Sequence, residues 1–213
     1  TPPNAPSQLL PGLMAGANLF LPNALPQKYA PISAIHTKPI TANKDNASSS
    51  DGLNDTSANL ALAPLALRYD AAYVLMHMQG KPQNMQLAPK YDDLMGEIDE
   101  FFAQNLQQLR SAGLKKIILD VGIGFGKTAE QNLVLIKNLQ HFLYFGCPLL
   151  VGASRKSVID FYSPSAVEDR LAGSLYLHQV AALNGAAIIR THDVAEHAQM
   201  FRLENAMRKI AAW

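Results

Sequence analysis

Cysteine is nearly absent from this chain. Cys147 is the only one in 213 residues, which excludes an internal disulfide and makes a reducing compartment the simpler setting. It lies just before an apolar run and reads as a small core residue. An excess of one charge is absent too. Eighteen Lys and Arg against 17 Asp and Glu leave a formal net charge of +1. That balance argues against general affinity for nucleic acid or acidic membranes. Long hydrophobic runs are also missing: nothing approaches the roughly 18 apolar residues that read as a membrane span. The apolar-leaning stretch 9–21 is broken by Pro11, Gly12 and Gly16 and has no basic residue before it, so it does not read as a signal peptide. A cytoplasmic location is expected. No His, Cys and Asp cluster has metal-ligand spacing, and no Ser-His-Asp or Cys-His pattern is visible, so neither a protein metal site nor a covalent nucleophile is expected.

What is present is unevenly distributed. Residues 1–50 carry four charged side chains (Lys28, Lys38, Lys44, Asp45) but eight of the 13 prolines. That segment is expected to be irregular, with the orderly part of the chain running from 51 to 213. In the second part, Leu94, Ile98, Phe101, Phe102, Leu106 and Leu109 recur at helical spacing, with Asp92 and Asp93 before them and Gly113 after. Thr128 and Gln131 have capping-box spacing for a helix running to about 142. Further helices are expected at about 166–183 and 194–210. Between them lie apolar runs of strand length. Strict alternation of strand and helix implies a parallel sheet, either a barrel or doubly wound.

The apolar runs end in a repeated way. Residues 117–119 end at Asp120 and then Gly122, Gly124 and Gly126. Residues 148–151 end at Gly152 and Ser154-Arg155-Lys156-Ser157. Residues 186–189 end at Arg190, Thr191, His192 and Asp193, and residues 72–76 end at His77. Several strands ending in ligand-capable side chains point to one rim of a βα-barrel. Asp120 suits the N–H and amino groups of a heterocycle, because a carboxylate accepts two donors in a fork. The Ser-Arg-Lys-Ser turn and the Arg190/His192 pair suit an anion. Met76 suits either core filling, the usual use of methionine, or packing on a flat ring.

These motifs in order resemble dihydropteroate synthase, a pterin-binding βα-barrel family. The matching stretches are residues 53–57, 73–82, 120–127, 150–157, 170–175 and 189–194. The resemblance implies a (β/α)8 barrel of TIM type, incomplete at the N-terminus in this chain. It implies condensation of p-aminobenzoate with 6-hydroxymethyl-7,8-dihydropterin pyrophosphate, releasing pyrophosphate, with Mg²⁺ carried on the substrate pyrophosphate. It implies that Asn54, Met76, Asp120 and Lys156 hold the pterin. Arg190 and His192 would hold the pyrophosphate, with Lys156, Arg190 and His192 as the catalytic set. Phe125, Lys156 and Ser157 would hold p-aminobenzoate, and a homodimer would form through the last helices.

The sequence also departs from the family. The family's Asp-Pro-Gly reads Asp120-Val121-Gly122. Its first two strands, the first bearing an asparagine near the magnesium pyrophosphate, have no counterpart. Its third-strand aspartate is replaced by Ile35 or His36, and Pro2 stands where a loop arginine belongs. The chain alone is therefore expected to be a fragment of a longer protein or a weakly active form. Two other functions stay open: a degenerate, non-catalytic pterin-binding fragment, and a methyltetrahydrofolate-binding methyltransferase domain.

Overall fold

The computed structural model describes residues 18–20, 52–55, 60, 62–80 and 89–210, with 18–20 and 52–55 as backbone. Five strands run parallel: β2 (Gly52–Asp55), β3 (Ala72–Met76), β4 (Ile117–Asp120), β5 (Leu149–Val151) and β6 (Ala186–Thr191). A short strand, β1 (Asn18–Phe20), joins the far edge antiparallel to β6, with Leu19 opposite Arg190. The sheet order is β1-β6-β5-β4-β3-β2.

That order decides between the two architectures left open by alternation. A doubly wound sheet reverses its strand order at a switch point. Here β2 to β6 follow one another without reversal. The two faces differ as well. Tyr73, Leu75, Ile117, Leu119, Leu149, Val151 and Ile189 pack with helical residues in one large core. Ala72, Val74, Ile118, Leu150, Ala187 and Ile188 form a second cluster built from strand residues. Helices cover the first face and the second is an inner wall, as in a βα-barrel. The described residues are thus part of a barrel of TIM type, consistent with the fold expected from the motifs.

The helices form where their signals lie. The longest, α2 (Leu94–Ser111), starts at Asp93, whose side chain accepts from the Gly96 N–H. Its Ile98, Phe102, Leu106 and Leu109 are buried. Each such side chain contributes about 1.5–3 kcal/mol. The capping box of α3 (Ala129–Lys137) forms in full, Thr128 and Gln131 each accepting from the other's backbone N–H. The helix anticipated to about 142 stops at Lys137, because the Asn138 side chain caps the Val134 carbonyl. A 3-10 segment, Leu139–Phe145, carries the chain on.

The helix anticipated over 166–183 divides. A 3-10 turn at Val167–Asp169 precedes α5 (Leu171–Leu183), because Arg170 turns back to donate to the Ser165 carbonyl. The shorter helices are α1 (Ala63–Arg68), which periodicity does not reveal, and α4 (Ser157–Tyr162). The last is α6 (Val194–Arg208). Of residues 1–50, read as irregular, β1 is the part described. The remainder, including Pro2 and the stretch around Ile35 and His36, lies outside the described residues. Among the described residues no helix is long and apolar enough to cross a membrane.

Candidate active site at the carboxyl ends of the strands

Side chains two positions apart on a strand share a face, so Asp120 and Arg190 follow Ile118 and Ile188 onto the inner wall. Met76 pairs with Asp120 across β3 and β4 and is fully buried. Asp120 is 1% exposed. One of its oxygens accepts the Gly122 N–H at 2.8 Å, and the other accepts Arg190 Nη2 at 3.0 Å. Arg190 starts on β6 and must cross β5 to reach β4. Gly152 opens that path: a Cβ there would lie 3.0 Å from Arg190 Nε and Nη2. A carboxylate offers about four lone-pair positions, so Asp120 retains capacity for a ligand's donors.

The glycine loop after β4 is pinned from beneath by Lys127, 3% exposed. Its ammonium donates to the carbonyls of Gly122 at 3.1 Å and Phe125 at 3.0 Å, and lies 3.0 Å from His77 Nδ1. Burial pulls Lys127 down to about 7, with the Asp120 charge opposing that fall. Burial, then the Lys127 charge, lowers His77 to about 3. His77 is therefore a neutral acceptor, its ring edge-on to Phe101 at 5.0 Å. Gly122 has φ +71°, and a Cβ there would sit 1.9 Å from the His77 carbonyl oxygen. No side chain fits that approach between the β3 and β4 loops. Neither role is legible in the sequence. A lone lysine closing a glycine loop just before a helix N-cap was the available signal.

The two cations after β5 separate. Arg155 adopts the left-handed conformation, φ +56°, and forms a two-pronged ion pair with Asp193. Its N–H donates to Ser174 Oγ at 2.8 Å, and its carbonyl accepts from Arg170. Arg155 thus shapes the loop. Ser174 and Arg170 explain the 170–175 motif: both serve this turn from the start of α5. Lys156 turns the other way. Its ammonium donates to the Ile123 carbonyl and lies 4.4 Å from the centre of the Phe125 ring, a cation–π contact. Burial first, then the Arg190 charge, lowers it to about 7, while Asp120 counteracts. The helix after this turn, α4, begins at Ser157 and has six residues, so its dipole adds little. Ser157 is exposed beside Lys156.

His192 does not pair with the Asp193 side chain. Its Nδ1 lies 2.9 Å from Ser154 Oγ. Burial, then the charge of Arg155, lowers its pKa. Asn54 sits on β2 opposite Val74; its side chain lies outside the described residues. Met76, Asp120, Phe125, Lys156 and Arg190 therefore converge, with His192 and Ser157 at the rim. One carboxylate stands among Lys127, Lys156 and Arg190. Such a mouth suits a ligand with ring N–H donors at one end and an anion at the other.

A family model described as pterin binding enzyme matches residues 29–192. The dihydropteroate synthase of Escherichia coli K12 is 45% identical over 134 residues, 62% of this chain and 48% of that protein. The bifunctional dihydropteroate synthase/dihydropteroate reductase of Helicobacter pylori is 43% identical over 159 residues, 74% of this chain and 42% of that protein. The chain thus spans about half the length of these relatives. A solved Xanthomonas albilineans dihydropteroate synthase in complex with 7,8-dihydropteroate matches with a TM-score of 0.68 at 31% identity, covering 75% of this chain and 60% of that one.

Proposed function

Because this chain belongs to the pterin-binding enzyme family, we propose that it acts as a dihydropteroate synthase, with its pterin and pyrophosphate contacts gathered on one wall of the barrel mouth. The observation that carries this reading is the buried Asp120 held by Arg190 across Gly152. One carboxylate for ring donors and one cation for an anion thereby sit at adjoining ends of a single wall. The solved relative holding 7,8-dihydropteroate supports the same ligand class.

In the proposed reaction the C–O bond between the pterin methylene and pyrophosphate breaks, and the electron pair leaves with pyrophosphate. Arg190 and His192 take up the developing negative charge, and Arg190 exchanges part of its bond to Asp120 for the leaving group. Asp120 accepts from the pterin's N–H groups and Asn54 also hydrogen-bonds the ring, with Met76 beneath it. Lys156 spans both parts. The aniline nitrogen of p-aminobenzoate then attacks the methylene carbon and loses a proton to water. Phe125 and Lys156 flank its ring, and Ser157 receives its carboxylate. No protein nucleophile is required. The donors at this mouth are cationic, and Asp120 already serves Gly122 and Arg190. They suit the pyrophosphate better than a metal ion, so magnesium is proposed as a counter-ion that enters with the substrate.

A homodimer is proposed through α5 and α6, where Tyr176, Leu183, Leu203 and Met207 are 61–72% exposed, and a cytoplasmic setting is proposed with it. Calorimetry separates this reading from the methyltransferase and non-catalytic alternatives. Dihydropterin pyrophosphate should bind more tightly than methyltetrahydrofolate, and p-aminobenzoate should add heat once pyrophosphate is present. Preference for methyltetrahydrofolate contradicts the proposal, and pterin binding without any response to p-aminobenzoate leaves the non-catalytic reading.

A further inference from the structure

Behind the two anion-facing loops runs a chain of buried polar side chains that the proposed reaction does not use. His178 on α5, His197 on α6 and Thr191 on β6 are all 0% exposed. The Ala153 N–H lies 2.8 Å from His178 Nε2 and donates to it. A backbone N–H is only a donor, so Nε2 of His178 carries no proton. Neutral His178 then holds its proton on Nδ1 and donates to His197 Nε2, 2.7 Å away. His197 in turn holds its proton on Nδ1, which faces the Asp193 carbonyl at 2.7 Å and Thr191 Oγ1 at 3.2 Å. A carbonyl only accepts, so the far end agrees with the near end. Protonating either ring would set N–H against N–H, and burial lowers His178 to about 3.

The polarity continues towards the site. Thr191 Oγ1 accepts from the Asp193 N–H at 3.2 Å, and its hydroxyl donates to Ser154 Oγ at 3.4 Å. Ser154 Oγ also accepts the His192 N–H at 3.2 Å. With two donors aimed at that oxygen, its own proton goes to His192 Nδ1, 2.9 Å away. His192 is then left with its proton on Nε2.

We propose that His178 and His197 are positioning residues. The chain from the Ala153 N–H through His178, His197, Thr191 and Ser154 locks His192 as the Nε2–H tautomer, which presents an N–H donor to a phosphate group at the barrel mouth. The identity of that ligand rests on the pyrophosphate reading above; the tautomer does not.

Long-range ¹⁵N–¹H correlation spectra of the full 213-residue chain at pH 7.5 test this without a ligand. His178 and His197 should show a protonated Nδ1 and a bare Nε2, and His192 the reverse. A protonated Nδ1 on His192, or averaged shifts at His178, overturns the proposal. His178→Leu removes the polarising donor. His192 should drift to mixed tautomers, and pyrophosphate should bind about three- to tenfold more weakly, the range of one neutral hydrogen bond. His178→Asn keeps one acceptor and one donor and should restore the His192 pattern. An unchanged His192 in His178→Leu also overturns the proposal. Should the leucine variant not fold, the unmodified and asparagine chains decide. Inorganic pyrophosphate added to the unmodified chain should shift His192 Nε2; if it does not, the pyrophosphate reading fails while the tautomer assignment stands.

Discussion

Replacing Asp120 with asparagine removes one charge and almost no volume, so its effects isolate what the carboxylate does. In the structure one oxygen takes the Gly122 N–H and the other takes Arg190. The asparagine amide can serve one of these and must turn a donor towards the other. Arg190, 12% exposed at its side chain, loses its counter-charge. Breaking a buried pair costs about 3–5 kcal/mol. Residual exposure of Arg190 sets the expectation at about 3 kcal/mol or below, read as a lower denaturation midpoint at unchanged slope. Binding should suffer more. Two charge-assisted hydrogen bonds to a pterin at about 1.5–3 kcal/mol each give roughly a hundredfold to ten-thousandfold loss of affinity. Calorimetric titration with dihydropterin pyrophosphate measures it, and inorganic pyrophosphate titrated in parallel should lose much less. Equal losses for both ligands, or an unchanged pterin affinity, would refute the assignment of Asp120 to the ring.

The remaining predictions follow the same geometry. Gly152→Ala places a methyl 3.0 Å from the Arg190 guanidinium; a loss of about 1–3 kcal/mol in stability and weaker pyrophosphate binding are expected, and wild-type values for both would contradict the crossing role of that glycine. Lys127→Met removes the brace beneath the 122–125 loop, so amide exchange at Gly124 and Phe125 should quicken markedly while α2 stays protected; unchanged exchange would count against the brace. Ser174→Ala leaves the Arg155 N–H without its acceptor and should cost about 1–3 kcal/mol, measured by urea unfolding. His77 and His178 both fall from 6.5 to about 3 in the folded chain. Lowered values mean that the unfolded state binds the extra protons, so stability is full above pH 6.5 and declines as pH falls towards 3. Unfolding midpoints that stay flat from pH 6.5 to 4.5 would contradict neutral burial of both rings.

Much of the frame was legible because a strand buried on both faces must be apolar throughout and then change character where it meets ligand or solvent. The runs ending at Met76, Asp120, Val151 and Arg190 show that change. The caps of α2 and α3 were legible for the same local reason. What stayed hidden was pairing across distance. Asp120 and Arg190 are 70 residues apart, and Lys127 and His77 are 50 apart. Nothing local encodes that these meet. The separation of Arg155 from Lys156 depends on one left-handed backbone angle held by Ser174 and Arg170, which a run of four polar residues does not announce. The buried His178–His197 pair looked like two ordinary helical positions, because α5 and α6 are needed to bring the rings together.

The most direct measurement supplies the chain with dihydropterin pyrophosphate, magnesium and p-aminobenzoate and quantifies 7,8-dihydropteroate and pyrophosphate together. The account predicts equal amounts of the two products, dependent on both substrates and abolished by Arg190→Ala. Tight pterin binding with no dihydropteroate formed, or synthesis undiminished in Arg190→Ala, would contradict it.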